Sequence, residues 1–312
     1  MRVLRKILWG LLVFIGLSAL GGYIYFDHKF EPEPNYLQVQ GDSTQVPFKW
    51  LATPTNPNAA LVLPVKVADI DQTFYMQLDF GSPITLFYRK TLKAIQTVFP
   101  KQIPGPLESS TIGMELSLGD LNIQSKTFRL LEHGDALALK TWETPIIIGT
   151  LGTDLLEKRT IALHFKDNHC TFSKRSLDDT YSAFEFEKRR ILLPATLEGK
   201  TIELLYDSGT SGYELITDKT NWEKYRIAES KVQTEQANSW GKPLDVHTAT
   251  AQKTIEMGGT KLMLKKVTYI DGTSFVQNML MRFSGMQGML GNAIFLDRSV
   301  TLDCKNERFC IE

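Results

Sequence analysis

Two short stretches constrain this chain more than anything else in it. Thr73-Phe74-Tyr75-Met76-Gln77-Leu78 runs into Asp79-Phe80-Gly81-Ser82, and Thr201-Ile202-Glu203-Leu204-Leu205-Tyr206 runs into Asp207-Ser208-Gly209-Thr210. Each reads as an apolar strand ending on Asp-x-Gly-Ser/Thr, where the glycine permits a sharp backbone reversal. A hydroxyl three residues beyond the Asp is placed to donate to its carboxylate and fix its orientation. A single copy would read as an Asp capping a surface turn. Two copies ask for more, because the chain around them repeats as well.

Leu116-Ser117-Leu118-Gly119-Asp120 begins a stretch running to Leu131, and Ile255-Glu256-Met257-Gly258-Gly259 begins one running to Ile270. Aligning Gly119 with Gly258 gives an offset of 139. The same offset sets Gly149 on Gly288, Leu151 on Leu290, Gly152 on Gly291 and Arg159 on Arg298, then Ile161-Ala162-Leu163 on Val300-Thr301-Leu302. One gap-free offset over so long a stretch is not an accident of composition, so the body is a duplicated unit. The Asp motifs are offset by only 128, which leaves eleven more residues between motif and hairpin in the second unit. Loop-length variation accounts for such a surplus.

Short apolar runs broken by Gly, Pro, Asn and Asp follow Ala59, with little long helical periodicity, so the body is expected to be all-β. Residues 27–58, rich in Pro, Asn, Gln and Thr, read as an extended stalk with a short strand near Phe48 to Leu51. The expected layout is a tip and membrane anchor at 1–26, the stalk at 27–58, and an N-terminal lobe at 59–172. A polar connector at 173–186 then leads to a C-terminal lobe at 187–312.

The anchor rests on Arg2, Arg5 and Lys6 preceding an uncharged run from Ile7 to Phe26. Twenty helical residues at about 1.5 Å each would cover the roughly 30 Å hydrocarbon core. The basic flank belongs on the cytoplasmic side, which puts the body outside, in the periplasm or at the cell exterior. The alternative is a cleaved signal peptide with Ala19-Leu20-Gly21 at its cleavage site; either reading exports the body.

Lys+Arg and Asp+Glu both total 35, and no basic run is interleaved with aromatics, so nucleic acid is not an expected partner. The five histidines and three cysteines form no zinc signature, and no metal or cofactor is implied. Cys304 and Cys310 flank a short hairpin pattern that could bring them into a disulfide, leaving Cys170 as a buried thiol.

With these pieces in place, residues 59–312 resemble the pepsin and retropepsin superfamily of aspartic peptidases. In that family each lobe supplies one Asp-Thr/Ser-Gly loop and a later hydrophobic-hydrophobic-Gly segment packed beneath it. Ile146-Ile147-Ile148-Gly149-Thr150-Leu151-Gly152 and Met286-Gln287-Gly288-Met289-Leu290-Gly291 match those later segments. The resemblance implies a bilobal acid-protease fold in which one chain, acting as a monomer, brings Asp79 and Asp207 together at a pseudo-twofold axis. Catalysis would then be endopeptidase cleavage of an extended peptide or protein by water activated between the two. Gly81 and Gly209 would set the turns, while Ser82, Ser208 and Thr210 would support the loops. The hairpins tipped by Gly119 and Gly258 resemble flaps, the first being the better candidate to cover the cleft. Phe80 departs from the family, standing where a hydroxyl residue helps tie the two loops. It favours a second expectation, a non-catalytic module that binds peptides or a partner protein. A third, a structural envelope protein, predicts a cleft filled by side chains.

Overall fold

Alternation builds the strands. β5 (Thr73–Leu78) buries Phe74, Met76 and Leu78 and leaves Thr73, Tyr75 and Gln77 half-exposed, the period of two of a strand with one face on a core. β7 (Thr111–Leu118) repeats the pattern through Ile112, Met114, Leu116 and Leu118. β4 (Ala60–Val67) and β14 (Arg190–Leu197) share one burial pattern position for position, each with a proline fifth, Pro64 and Pro194.

A computed structural model describes residues 31–67, 69–135, 145–239, 242–271 and 286–312. The expected anchor, Ile7 to Phe26, lies outside the described residues. Among the described residues, no helix is long and apolar enough to cross a membrane. Tyr36–Glu312 forms a unit of its own.

Three sheets organise that unit. The N-terminal lobe orders β1 (Gln38–Gln40), β8 (Leu121–Leu131), β6 (Leu86–Tyr88), β9 (Ile147–Leu151), β5, β4 and β3 (Lys49–Leu51), with β7 pairing both β4 and β8. The C-terminal lobe orders β13 (Glu185–Glu187), β14, β15 (Lys200–Tyr206), β20 (Met286–Leu290), β16 (Leu215–Ile216), β19 (Thr260–Asp271), β18 (Lys242–Met257) and β17 (Gln233–Ser239). Between them a six-stranded sheet orders β12 (Ser182–Ala183), β22 (Arg308–Ile311), β21 (Ser299–Asp303), β10 (Thr160–His164), β11 (His169–Ser173) and β2 (Ser43–Pro47). A helix follows β6 and β16 in turn, α1 (Arg89–Val98) and α2 (Lys219–Tyr225); Asp218 caps the second by accepting from the N–H groups of Thr220 and Asn221.

The symmetry axis can be located by residue. β10 and β21 pair antiparallel, and the centre of their register is Ala162 opposite Thr301. Those two residues are also equivalents under the 139-residue repeat. Equivalent residues face each other only at a twofold axis, so the axis passes through this pair. Ile161, Leu163, Val300 and Leu302 from the same strands are fully buried and join the cores of the two lobes.

Three expectations change. Residues 38–51 are not stalk: β1 pairs β8, β2 pairs β11 and β3 pairs β4, with Val46 and Phe48 buried. The partners of β1 and β2 lie far along the chain, so local composition could not reveal them; β3 is the short strand expected near Phe48 to Leu51, paired with the nearby β4. The connector narrows as well, because β12 falls within 173–186 and β13 begins there at Glu185, pairing β22 and β14. Finally, Cys170, Cys304 and Cys310 are all free thiols. The β21–β22 register sets Cys310 opposite Thr301 and leaves Cys304 in the turn, out of register with it. Cys170 is the expected buried thiol, and burial pushes it up to about 12.

Candidate active site

β5 and β15 lead directly into Asp79 and Asp207, and each strand end is braced by the parallel strand beside it. The Asp79 N–H donates to the Leu151 carbonyl at 3.1 Å, and the Asp207 N–H to that of Leu290 at 2.8 Å. The hydrophobic-hydrophobic-Gly segments therefore do lie alongside the Asp strands. Their later glycines fit where nothing larger can: a Cβ on Gly152 would stand 2.4 Å from the Ile84 backbone, and one on Gly291 2.2 Å from the Thr210 carbonyl.

The two loops bring the carboxylates together. Gly81 N–H donates to Asp79 Oδ1 at 2.9 Å, and Gly209 N–H to Asp207 Oδ1 at 2.8 Å. A Cβ on Gly81 would stand 2.6 Å from Asp207 Oδ1, and one on Gly209 2.5 Å from Asp79 Oδ1. Each carboxylate thus lies against the other loop's glycine, and the two side chains hydrogen-bond to one another. Burial raises both acids; for Asp207, burial and then the neighbouring Asp79 charge push it up to about 7.

The supporting hydroxyls act differently from expectation. Ser82 Oγ donates to the Ile84 carbonyl and Thr210 Oγ1 to the Asp207 carbonyl, both at 2.8 Å, so neither is bonded to a carboxylate. The loops instead hold the acids by the backbone N–H groups of Gly81 on one side and Gly209 on the other, while the Ser82 and Thr210 N–H groups close the turns on the Asp79 and Asp207 main-chain carbonyls at 3.2 and 3.1 Å. That arrangement follows from the tight turn, which points the glycine amide inward.

Ser208 is fully buried and spans the axis. Its hydroxyl donates to the Leu78 carbonyl and accepts from the Phe80 N–H, both at 2.9 Å. Phe80 returns no hydroxyl. Its buried ring stands edge-on to Tyr206 with centroids 5.2 Å apart, and Tyr206 in turn packs on Phe295 at 5.3 Å. The Tyr206 hydroxyl donates to Asn292 Oδ1, Asn292 Nδ2 to Ser211 Oγ, and Ser211 Oγ to the Ser208 carbonyl, each at 2.7 Å. The aromatic contact and this relay take the place of the missing half of the clasp.

Gly119 and Gly258 are not brought to the site. A Cβ on Gly119 would meet Thr44 Oγ1 of β2 at 2.2 Å, and Asp120 N–H donates to that same oxygen. A Cβ on Gly258 would meet the Phe309 ring of β22 at 3.0 Å. Both tips pack on the six-stranded sheet rather than over the carboxylates, so neither hairpin is a flap. A glycine turn looks alike in sequence whichever way its hairpin points.

Two residues not singled out in the sequence touch the Asp207 loop. Asn56 Nδ2 donates to the Gly212 carbonyl at 2.9 Å, and the Tyr213 hydroxyl donates to Glu235 Oε1 at 2.8 Å. Glu235 sits on β17, inside the stretch that carries the eleven-residue surplus, which was the available signal.

No protein-family model matches the chain, and no curated protein matches it. Among solved structures it is similar to the aspartic proteinase from Irpex lacteus at 10% identity, over 86% of this chain and 96% of that one, with a TM-score of 0.50. At that identity the likeness speaks for architecture alone. The chain has an all-β, bilobal fold resembling that of a pepsin-like aspartic proteinase.

Proposed function

We propose that this chain is an aspartic endopeptidase that hydrolyses peptide bonds in an extended peptide or protein, with Asp79 and Asp207 sharing one proton. The observation that carries the reading is the pair of half-buried, mutually hydrogen-bonded carboxylates, each against the opposite loop's glycine. Two acids so placed do not both ionise readily, so one proton stays on the pair. The ionised member takes a proton from a water between them as the water oxygen bonds to the scissile carbonyl carbon. The protonated member donates to the carbonyl oxygen, and the pair then returns a proton to the leaving amine. Backbone N–H groups at Gly81 and Gly209 hold the acids, and Ser208 ties the loops. The basic-then-apolar N-terminus supports a single-pass anchor with the body on the extracytoplasmic side, and two loops in one chain support a monomer.

A second reading has one observation in its favour. With Phe80 in place of a hydroxyl residue, a hydroxyl clasps the loops from one side only, and a ring contact answers it from the other. A non-catalytic module binding peptides or a partner protein in the same cleft tolerates that loss more easily than an enzyme does.

Cleavage of an unfolded protein by the purified full-length chain, between about pH 3 and 7, separates the readings. Activity that Asp79→Ala or Asp207→Ala abolishes supports the shared-proton mechanism. A folded chain that binds peptides and cuts none at any pH supports the binding module. Cleavage that survives both substitutions sinks the proposal.

A further inference from the structure

The two lobes connect helix to hairpin by segments of different length. In the N-terminal lobe α1 ends at Val98 and β7 begins at Thr111. In the C-terminal lobe α2 ends at Tyr225, and the equivalent of Thr111 under the 139-residue repeat is Thr250. The longer segment is built into β17 and the first half of β18, which pair from Gln233 opposite Thr248 to Ser239 opposite Lys242. Its shorter counterpart folds down on its own lobe: Ile103 and Leu107 are buried, Gln96 Nε2 donates to the Ile103 carbonyl, and the Ser110 carbonyl accepts from Leu130 N–H.

β17 has two properties that belong together. Among the described residues it pairs only with β18, so it is the edge of its sheet, and Gln233, Thr234 and Gln236 are exposed with Glu235 half-buried. Proteins usually blunt such an edge with Lys, Pro or a bulge. The sequence Gln-Thr-Glu-Gln-Ala-Asn-Ser carries neither Lys nor Pro, and its pairing with β18 has no register shift. The second property is location. Tyr213 stands six residues after Asp207, its N–H bonded to the Thr210 carbonyl at 3.0 Å, and its hydroxyl holds Glu235 at 2.8 Å. The open edge is therefore fastened to the loop that carries one of the two acids.

We propose that the β17 edge is the strand on which an extended peptide pairs beside the carboxylates, and that the Tyr213–Glu235 bond positions it. The inference rests on the reading of the Asp loops as a peptide cleft, and it assigns the recognition edge to the C-terminal lobe. An extended backbone supplies the N–H and C=O row that an open edge lacks, which is strand addition. The bare polar edge suits recognition through backbone more than through large apolar side chains. Glu235 and Tyr213 are positioning residues, since they act through the strand rather than on the scissile bond.

The test uses the full-length chain with short linear peptides selected for binding to it from a random library. Amide hydrogen exchange is followed with and without a selected peptide. The expected result is slowed exchange at Gln233 to Gln236 and no change across residues 99–110. Glu235→Gln and Tyr213→Phe are expected to weaken peptide binding by about three- to tenfold, less than the loss of a whole charged hydrogen bond to the ligand. In an active chain they raise KM and leave kcat unchanged, a split that a merely structural role would not give. Protection on residues 99–110 with β17 unmoved overturns the inference. So does concentration-dependent protection of β17 without peptide, since a second copy then fills the edge, and so does a selection that yields no binder. Peptide binding with β17 protected but no cleavage leaves this inference standing and sinks the peptidase reading. Cleavage with β17 unprotected does the reverse.

Discussion

At the axis, Ser208 reaches from the C-terminal lobe with two hydrogen bonds, while Phe80, its equivalent in the N-terminal lobe, reaches back with a ring packed on Tyr206. The residues they meet differ in step: Leu78 and Tyr206 are equivalents too, one a small aliphatic partner and the other a large aromatic. Away from the axis the lobes agree closely, as in the shared burial pattern of β4 and β14. A strand whose neighbours all lie in its own lobe keeps the same environment in both copies. A residue at the axis faces the other copy, so substitutions there need only be complementary. The same freedom applies at the far end of each lobe, where one helix-to-hairpin segment folds down and the other becomes β17 and half of β18.

Phe80→Ala should disturb the axis most. It empties a fully buried site between Tyr206 and the Asp79 strand and should lower stability by about 3–5 kcal/mol, read by urea unfolding. A loss under about 1 kcal/mol would mean that the ring does not hold the lobes together.

Next comes the pH profile of stability. Asp207 is raised from 3.8 to about 7, so the native state keeps a proton that the unfolded chain has released. The stability this gives is present in full below about pH 4 and lost as pH rises to about 7. Asp154, fully in the N-terminal lobe, is raised to about 6 by its own burial and adds a loss of the same sign; Ala293 stands at its equivalent. Thermal melts should fall across that window, and Asp207→Asn should flatten most of the slope. An unchanged slope in that variant would deny the pair its shared proton.

Ser208→Ala should cost about 1–3 kcal/mol, because it orphans the buried Phe80 N–H and removes the donor to Leu78. The loss measures how much one hydroxyl does that a ring does on the other side. Smallest is Asn56→Ala, expected at about 1 kcal/mol for one hydrogen bond to the Gly212 carbonyl. A neutral result there would return the turn before β4 to the status of a surface loop.

Much of this arrangement could be read from the residues. The paired Asp motifs, the hydrophobic-hydrophobic-Gly segments beside them and the 139-residue offset lead to two equivalent loops near an axis, as found. What escaped shares a physical cause. β2 draws its pairing from β11, more than a hundred residues on, and Thr44 and Val46 are buried between that pairing and the Gly119 turn. The hydroxyls of Ser82 and Thr210 turned to carbonyls, a choice set by loop geometry within an ångström, which spacing does not encode. The turns at Gly119 and Gly258 were legible as turns, but their direction depends on the six-stranded sheet. The eleven-residue surplus was visible too, yet nothing in its composition distinguished a long loop from a hairpin.

If Asp79 and Asp207 act as one unit across the axis, kcat/KM on a peptide substrate for wild type, Asp79→Asn, Asp207→Asn and the double variant will show it. Each single substitution is expected to cost about a thousandfold or more, and the double no more than the worse single. A single variant within about tenfold of wild type, or losses that multiply in the double, would contradict it.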